Sequence, residues 1–181
     1  MTRPARPAWV RELAEEAQPG APRQLLDQAI AIACESARRE HGPFGAIVTN
    51  REGHVVAAGH NRVVAECDST AHAEVTAIRE AQQRFDTHAL DQPAEAPFTL
   101  YSSCEPCVMC FGVVYWSGLR RIAAAAPAEA AEALGFQEGP VTDEMWATAR
   151  DDKDVERVDV EPTLDPAEPF RIYEDAGGEI Y

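Results

Sequence analysis

Two short segments gather the residue types that do chemistry. The first is His72-Ala73-Glu74; the second is Pro106-Cys107-Val108-Met109-Cys110, with 31 residues between Glu74 and Pro106. One imidazole and two thiolates form a donor set suited to zinc. Three protein ligands leave a fourth coordination position open, which separates catalytic from structural zinc. Zinc held this way lowers the pKa of a bound water from about 15.7 to about 7, so hydroxide becomes available at neutral pH. Glu74 follows the histidine by two residues, near enough to hydrogen-bond that water and take its proton. A Cys-x-x-Cys pair taken alone also fits a redox couple or half of a structural zinc site, and Cys104 is the nearby candidate for a fourth structural ligand. Together the two segments favour one catalytic zinc per chain, on His72, Cys107 and Cys110. The remaining thiols, Cys34 and Cys67, read as plain buried cysteines. His41, His54, His60 and His88 read as surface or loop residues.

These groups need elements to carry them. A helix beginning near Ser69-Thr70 and running to Arg84, with Val75, Ile78 and Ala81 on one face, puts His72 and Glu74 in its opening turn. Phe98 to Ser102 reads as a strand. Pro106 then sits near a first helical position, where a missing N–H costs nothing. The Cys-x-x-Cys pair therefore opens a second helix, ending at Gly118, whose free N–H groups and dipole favour thiolate. Upstream, apolar residues from Leu25 to Ala37 recur at helical spacing, Phe44–Thr49 and His54–Gly59 read as a hairpin, and Asn50–Gly53 turns between them. Downstream, Arg121–Ala126 is a strand, 127–152 is helical in two pieces, 155–160 is an edge strand, and a last helix starts at Glu168. Strands alternating with helices imply a three-layer α/β/α domain on one mixed, five-stranded sheet. The expected division is a loosely attached, flexible extension at 1–22, a catalytic domain at 23–165 and a C-terminal segment at 166–181.

His-x-Glu followed by Pro-Cys-x-x-Cys is the spacing that zinc-dependent deaminases use. From about Gln24 to Ala126 the chain resembles the cytidine deaminase superfamily. The strings Ala71-His-Ala-Glu-Val-Thr-Ala-Ile-Arg79 and Ser103-Cys-Glu-Pro-Cys-Val-Met-Cys-Phe-Gly-Val-Val-Tyr-Trp116 are most similar to those of bacterial guanine deaminases. The resemblance implies a cytidine-deaminase-like fold and hydrolytic release of ammonia from a nucleobase, with Glu74 as proton shuttle. It further implies substrate-binding roles for Asn61 in Gly59-His-Asn61, for Phe44 in His41-Gly-Pro-Phe-Gly-Ala46, and for Ala73 and Trp116. Ala131-Glu-Ala-Leu-Gly-Phe-Gln-Glu138 is similar to a stretch where these enzymes carry acids for the purine edge. Glu138 would accept guanine N–H groups or assist proton transfer, and Gln137 stands where relatives often have another acid. Tyr181 ends the chain like relatives whose terminal tyrosine closes over the base, in some cases from a domain-swapped partner. A homodimer is implied as well, burying Phe111, Val114, Tyr115 and Trp116 on the metal helix.

Charge separates enzymes that share this motif. The 181 residues carry 16 Lys plus Arg against 31 Asp plus Glu, a net charge of −15. Residues 1–40 are balanced, 41–110 carry −5 and 111–181 carry −10. So much negative charge repels phosphate backbones and anionic membranes, which speaks against a tRNA adenosine deaminase. Guanine is the expected substrate; cytosine, cytidine, guanosine or an amino-triazine use the same chemistry and differ in pocket lining. A zinc-stapled binding module that lost catalysis is the non-enzymatic alternative, and the presence of Glu74 argues against it. Three of the five cysteines fall within seven residues, which is no disulfide framework. With no signal-like or bilayer-length apolar run, the expected location is the cytoplasm.

Overall fold

A computed structural model describes residues 7–181. Its order is α1 (Ala8–Glu15), α2 (Pro22–Arg38), β1 (Gly45–Thr49), β2 (Val55–His60), α3 (Val63–Glu66), α4 (Ala73–Arg84), β3 (Thr99–Cys104), α5 (Val108–Ser117), β4 (Arg121–Ala126), α6 (Ala128–Glu132), α7 (Asp143–Lys153), β5 (Glu156–Arg157) and α8 (Glu168–Asp175). The five strands form one sheet in the order β2-β1-β3-β4-β5. β1 pairs antiparallel with β2 and β3, whereas β3–β4 and β4–β5 are parallel, so the sheet is mixed.

The period-2 alternation of the strands builds the layers. Ala46, Val48, Leu100 and Ile122 face α4, α5 and α7, packing against Ala77, Ile78, Phe111, Val114 and Ala149. Ile47, Tyr101 and Ala123 point the other way, onto Leu25, Leu26, Ala29 and Ile32 of α2. This is the expected three-layer α/β/α arrangement. Two glycines set how closely the helices approach. A Cβ on Gly45 would collide with the Ala29 carbonyl of α2, and one on Gly59 with the Ala73 carbonyl of α4. The second contact seats the start of α4, and therefore His72, against the end of β2.

The N-terminal region differs from its sequence-based expectation. Residues 8–22 are an integral part of the fold rather than a loose appendage, while 1–6 lie outside the described residues. Trp9, Val10, Leu13, Ala14 and Ala17 fall on one helical stripe. Val10 and Ala14 are fully buried in the α2 layer. Gly20 N–H reaches the Gly53 carbonyl at 3.4 Å, tying the α1–α2 connection to the hairpin turn.

The remaining differences from expectation are local. α4 starts at Ala73 with His72 as its N-cap, because Asp68 Oδ1 already takes the Thr70 N–H and hydroxyl in a tight turn. His60 is buried rather than exposed, with Trp9 packed edge-on at 4.8 Å and His41 at 5.3 Å. Cys67 is exposed on a left-handed residue after α3, whereas Cys34 is buried as expected. The edge strand shrinks to Glu156–Arg157, followed by one further bond from Val158 N–H to the Ile122 carbonyl at 2.7 Å. No helix among the described residues is long and apolar enough to cross a membrane.

Candidate active site

The sheet brings two helix starts together. His72 is the N-cap of α4 and Cys107 the N-cap of α5, both with extended backbone, so each side chain leaves the helix end at the same place. Cys107 Sγ lies 3.6 Å from His72 Nδ1, and with Cys110 Sγ the three donor atoms all fall within 4.8 Å of one another. Tetrahedral zinc with N and S ligands needs donor separations of about 3.5–3.8 Å, so this set fits the ion with small adjustments. The thiols are buried and packed with Val75, Met109 and Val113.

Electrostatics concentrate on the same point. The Cys107 thiol is pulled down to about 4, chiefly by the hydrogen bond from Cys110 and then that from His72, against the effect of burial. Cys110 is raised well above its usual range by its hydrogen bond to Cys107 and by burial. Burial opposes charge on His72, but the hydrogen bond to Cys107 and attraction to Glu74 raise it overall. Glu74, buried in the first turn of α4, is pushed up to about 7 by burial and then by Cys107. Glu138 reaches about 7 for the same reasons in the same order. Burial also raises the Tyr181 phenol.

A cavity of about 100 Å³ joins these groups. Phe44, His72, Glu74 and Glu138 line it together with Glu105, Phe136, Gln137 and Tyr181. Phe136 stands edge-on to Phe44 at 5.2 Å and to Tyr181 at 5.2 Å. The Glu138 carbonyl accepts the Val108 N–H at 2.8 Å, which locks the residue beside the metal helix. Tyr181 reaches the cavity from its own chain, because Tyr173 Oη donates to the Glu179 carbonyl at 2.6 Å and turns the tail inward. The Tyr181 hydroxyl lies over Gly42, beside the Asn61 side chain. Asn61 Oδ1 accepts the Val63 N–H at 3.1 Å, while its buried Nδ2 has no partner of good geometry.

Of the residues picked out in the sequence, Phe44, His72, Glu74, Glu138 and Tyr181 share the cavity wall, with Cys107 and Cys110 behind His72 and Asn61 at its edge. Ala73 is buried but not on that wall. Trp116 is 75% exposed, on the outer side of α5 beside Lys153 at 5.1 Å, and does not line the pocket of its own chain. Phe111 and Val114, expected on an outer apolar face, are buried in the core instead. Sequence reasoning passed over Phe136 and Glu105. Phe136 stands two residues before Glu138, and Glu105 sits inside the cysteine string, so their positions were the available signal.

A metal-fitting His/Cys/Cys triad, a buried acid in the first turn of the helix that His72 caps, and a small, polar-edged cavity define a zinc-dependent hydrolytic deaminase. The model of the cytidine and deoxycytidylate deaminase zinc-binding region matches residues 21–126, and the chain belongs to that family. The guanine deaminase of Bacillus subtilis is 39% identical over 122 residues, covering 67% of this chain and 74% of that relative. A solved guanine deaminase from Nitrosomonas europaea superposes with a TM-score of 0.80 at 31% identity, covering 94% of this chain and 93% of the other. A structure solved in complex with 2,6-diaminopurine gives a TM-score of 0.84 at 34% identity, over 98% and 94% of the two chains.

Proposed function

We propose that this chain hydrolyses guanine to xanthine and ammonia. The observation that carries the reading is the convergence of two buried carboxylates, Glu74 and Glu138, on one cavity beside the metal triad, with the Asn61 side chain at its edge against Tyr181. Guanine offers a ring N–H and an amino group to a carboxylate, and a carbonyl oxygen to an amide donor. A space of about 100 Å³ suits a flat, bare base better than a nucleoside. The net charge of −15 favours a neutral base over an RNA strand.

His72, Cys107 and Cys110 would hold zinc, which when bound supplies the Lewis acidity that makes a hydroxide nucleophile available at neutral pH. Glu74 takes the proton of the attacking water and passes it to the ring nitrogen next to the amino-bearing carbon. The water oxygen bonds to that carbon. Glu74 then takes the proton of the newly attached hydroxyl and delivers it to the amino group; the C–O bond becomes a carbonyl as the C–N bond breaks, and ammonia leaves. Glu138 accepts the N–H edge of the base and Asn61 donates to its carbonyl, so the carbon is presented to Glu74. Phe44, Phe136 and Tyr181 give the cavity an aromatic wall against the ring that excludes bulk water.

Ammonia release from guanine, guanosine, adenine, cytosine and cytidine tests the assignment. Turnover of guanine with xanthine as product is expected; turnover of cytosine or cytidine alone overturns it. We also infer a homodimer through the outer face of α5, where Val108 and Trp116 are 43% and 75% exposed beside Tyr115. A monomeric mass in solution would remove that inference. The five free thiols suit the reducing cytoplasm.

A further inference from the structure

Glu105 takes no part in the steps above, yet it lines the same cavity as Glu74 and Glu138. Both of its carboxylate oxygens are engaged away from the metal. Oε2 accepts the Ala128 N–H at 3.3 Å, and Oε1 pairs with the Arg157 guanidinium. Ala128 opens α6, and the preceding Pro127 supplies no side-chain cap. Glu105 therefore caps α6 from a separate segment, with an anion at the positive end of the helix. Its own N–H adds a bond to the Ala126 carbonyl at 2.8 Å, just before that helix.

The stretch after α6 carries Phe136 and Glu138. Gly135 at φ 109° and Gly139 at φ 78° bracket it, so local backbone preference does little to fix it. It is held at its ends, by the α6 start and by the Val108 N–H on the Glu138 carbonyl, and between them by Phe136, whose N–H bonds the Ala131 carbonyl of α6 at 3.2 Å. Arg157 in turn is braced. Its guanidinium lies 5.3 Å over the Trp146 ring, and Trp146 stands edge-on to Phe111 of α5 at 4.8 Å. The contacts close a ring from the metal helix through Trp146, Arg157 and Glu105 to α6, then through Glu138 back to the metal helix.

We propose that Glu105, held by Arg157, is a positioning residue that sets Glu138 against the bound base. This rests on reading Glu138 as the group that accepts the base N–H edge. Acting through a neighbour, Glu105 affects how the base is held without exchanging protons with it. Arg157 extends that control to the sheet edge, outside the zinc-binding region at 21–126.

The test uses Glu105→Gln and Arg157→Met in the full-length, zinc-loaded chain. The glutamine keeps an acceptor for Ala128 but loses the ion pair, and the methionine keeps contact with Trp146 but loses the charge. Each is expected to lower kcat/KM for guanine on the order of tenfold, mostly through KM, with zinc content unchanged. Amide hydrogen exchange should quicken across 128–138 and stay unchanged in α4, with zinc or without. In a Glu138→Gln background, measured by single turnover, adding either substitution should cost no more than about twofold. Arg121→Gln, which breaks the neighbouring surface pair with Glu156, is the control expected to leave activity unchanged. Should Glu105→Gln fail to fold, the half-exposed Arg157 still decides the matter. Unchanged KM and exchange in Arg157→Met, or a full additional loss in the Glu138→Gln background, overturns the proposal. A wild-type chain that leaves guanine untouched fails the substrate reading instead.

Discussion

At the scale of single residues, the chemistry is set by atoms that local sequence already spaces. His72 with Glu74 and Cys107 with Cys110 are two and three residues apart, so each pair needs only a helix start to be arranged, and both pairs were legible in the chain. Glu74→Gln keeps the shape and the hydrogen-bonding capacity but cannot shuttle a proton. It is expected to lower kcat by about a thousandfold with zinc retained, as metal analysis alongside the assay would show. Roles that depend on which way a helix faces were not legible. Trp116 lies in a run apolar on every side, and only the sheet's choice of Phe111 and Val114 turns it outward. Gly42 was equally silent. Its φ is not in the left-handed region, so alanine fits the backbone, but a Cβ there would strike the Tyr181 hydroxyl and the Asn61 side chain. Gly42→Ala should therefore expel Tyr181 and raise KM about tenfold, the loss of one hydrogen bond and its packing. Removing Tyr181 as well should add nothing; a further loss would mean that the alanine acts through Asn61 alone.

At the scale of elements, hydrophobic periodicity revealed α2, which presents one apolar face to the sheet, whereas β1, β2 and β4 read as short apolar runs because the sheet buries them on both faces. α1 is harder to read: Pro19, Gly20 and Pro22 after it signal a boundary, although Trp9, Val10 and Ala14 form a stripe that α2 and β2 complete. That packing buries His60 and gives the α1–β2 joint a pH dependence. Burial, then repulsion from His41, Arg62 and Arg39, lowers the His60 imidazole from its ordinary 6.5 to about 3. Trp9 covers it on the α1 side, with the Arg39 guanidinium 5.0 Å over the indole. The folded state thus holds His60 neutral, whereas the unfolded chain protonates it below pH 6.5. Stability is complete above that pH and falls as pH drops from 6.5 towards 3, by at most about 1.4 kcal/mol per unit. Urea melts at pH 7 and pH 5 should show His60→Gln losing less on acidification than wild type. The comparison of the two proteins cancels the shared protonation of the metal ligands. Equal losses would place the acid sensitivity elsewhere.

At the scale of the whole molecule, the net charge of −15 acts on stability as well as on partner choice. The acidic load is greatest beyond residue 110, where α6, α7 and α8 wrap the sheet edge and the cavity. Ion pairs there, such as Arg171 with Asp165 and Glu168 or Arg150 with Asp151, are largely exposed and contribute little each. Uncompensated carboxylates repel one another across that surface, and compaction brings them closer than the unfolded chain does. Raising ionic strength from about 0.01 M to about 0.15 M shortens the screening length from about 30 Å to about 8 Å, within the span of one domain. The apparent Tm should therefore rise with added sodium chloride over that range, more at pH 8 than at pH 5, where part of the carboxylate charge is lost. A chain whose surface pairs dominated would respond in the opposite direction, because the same screening weakens attraction. A falling Tm would thus show that the acidic C-terminal third is held by its local ion pairs rather than strained by its net charge.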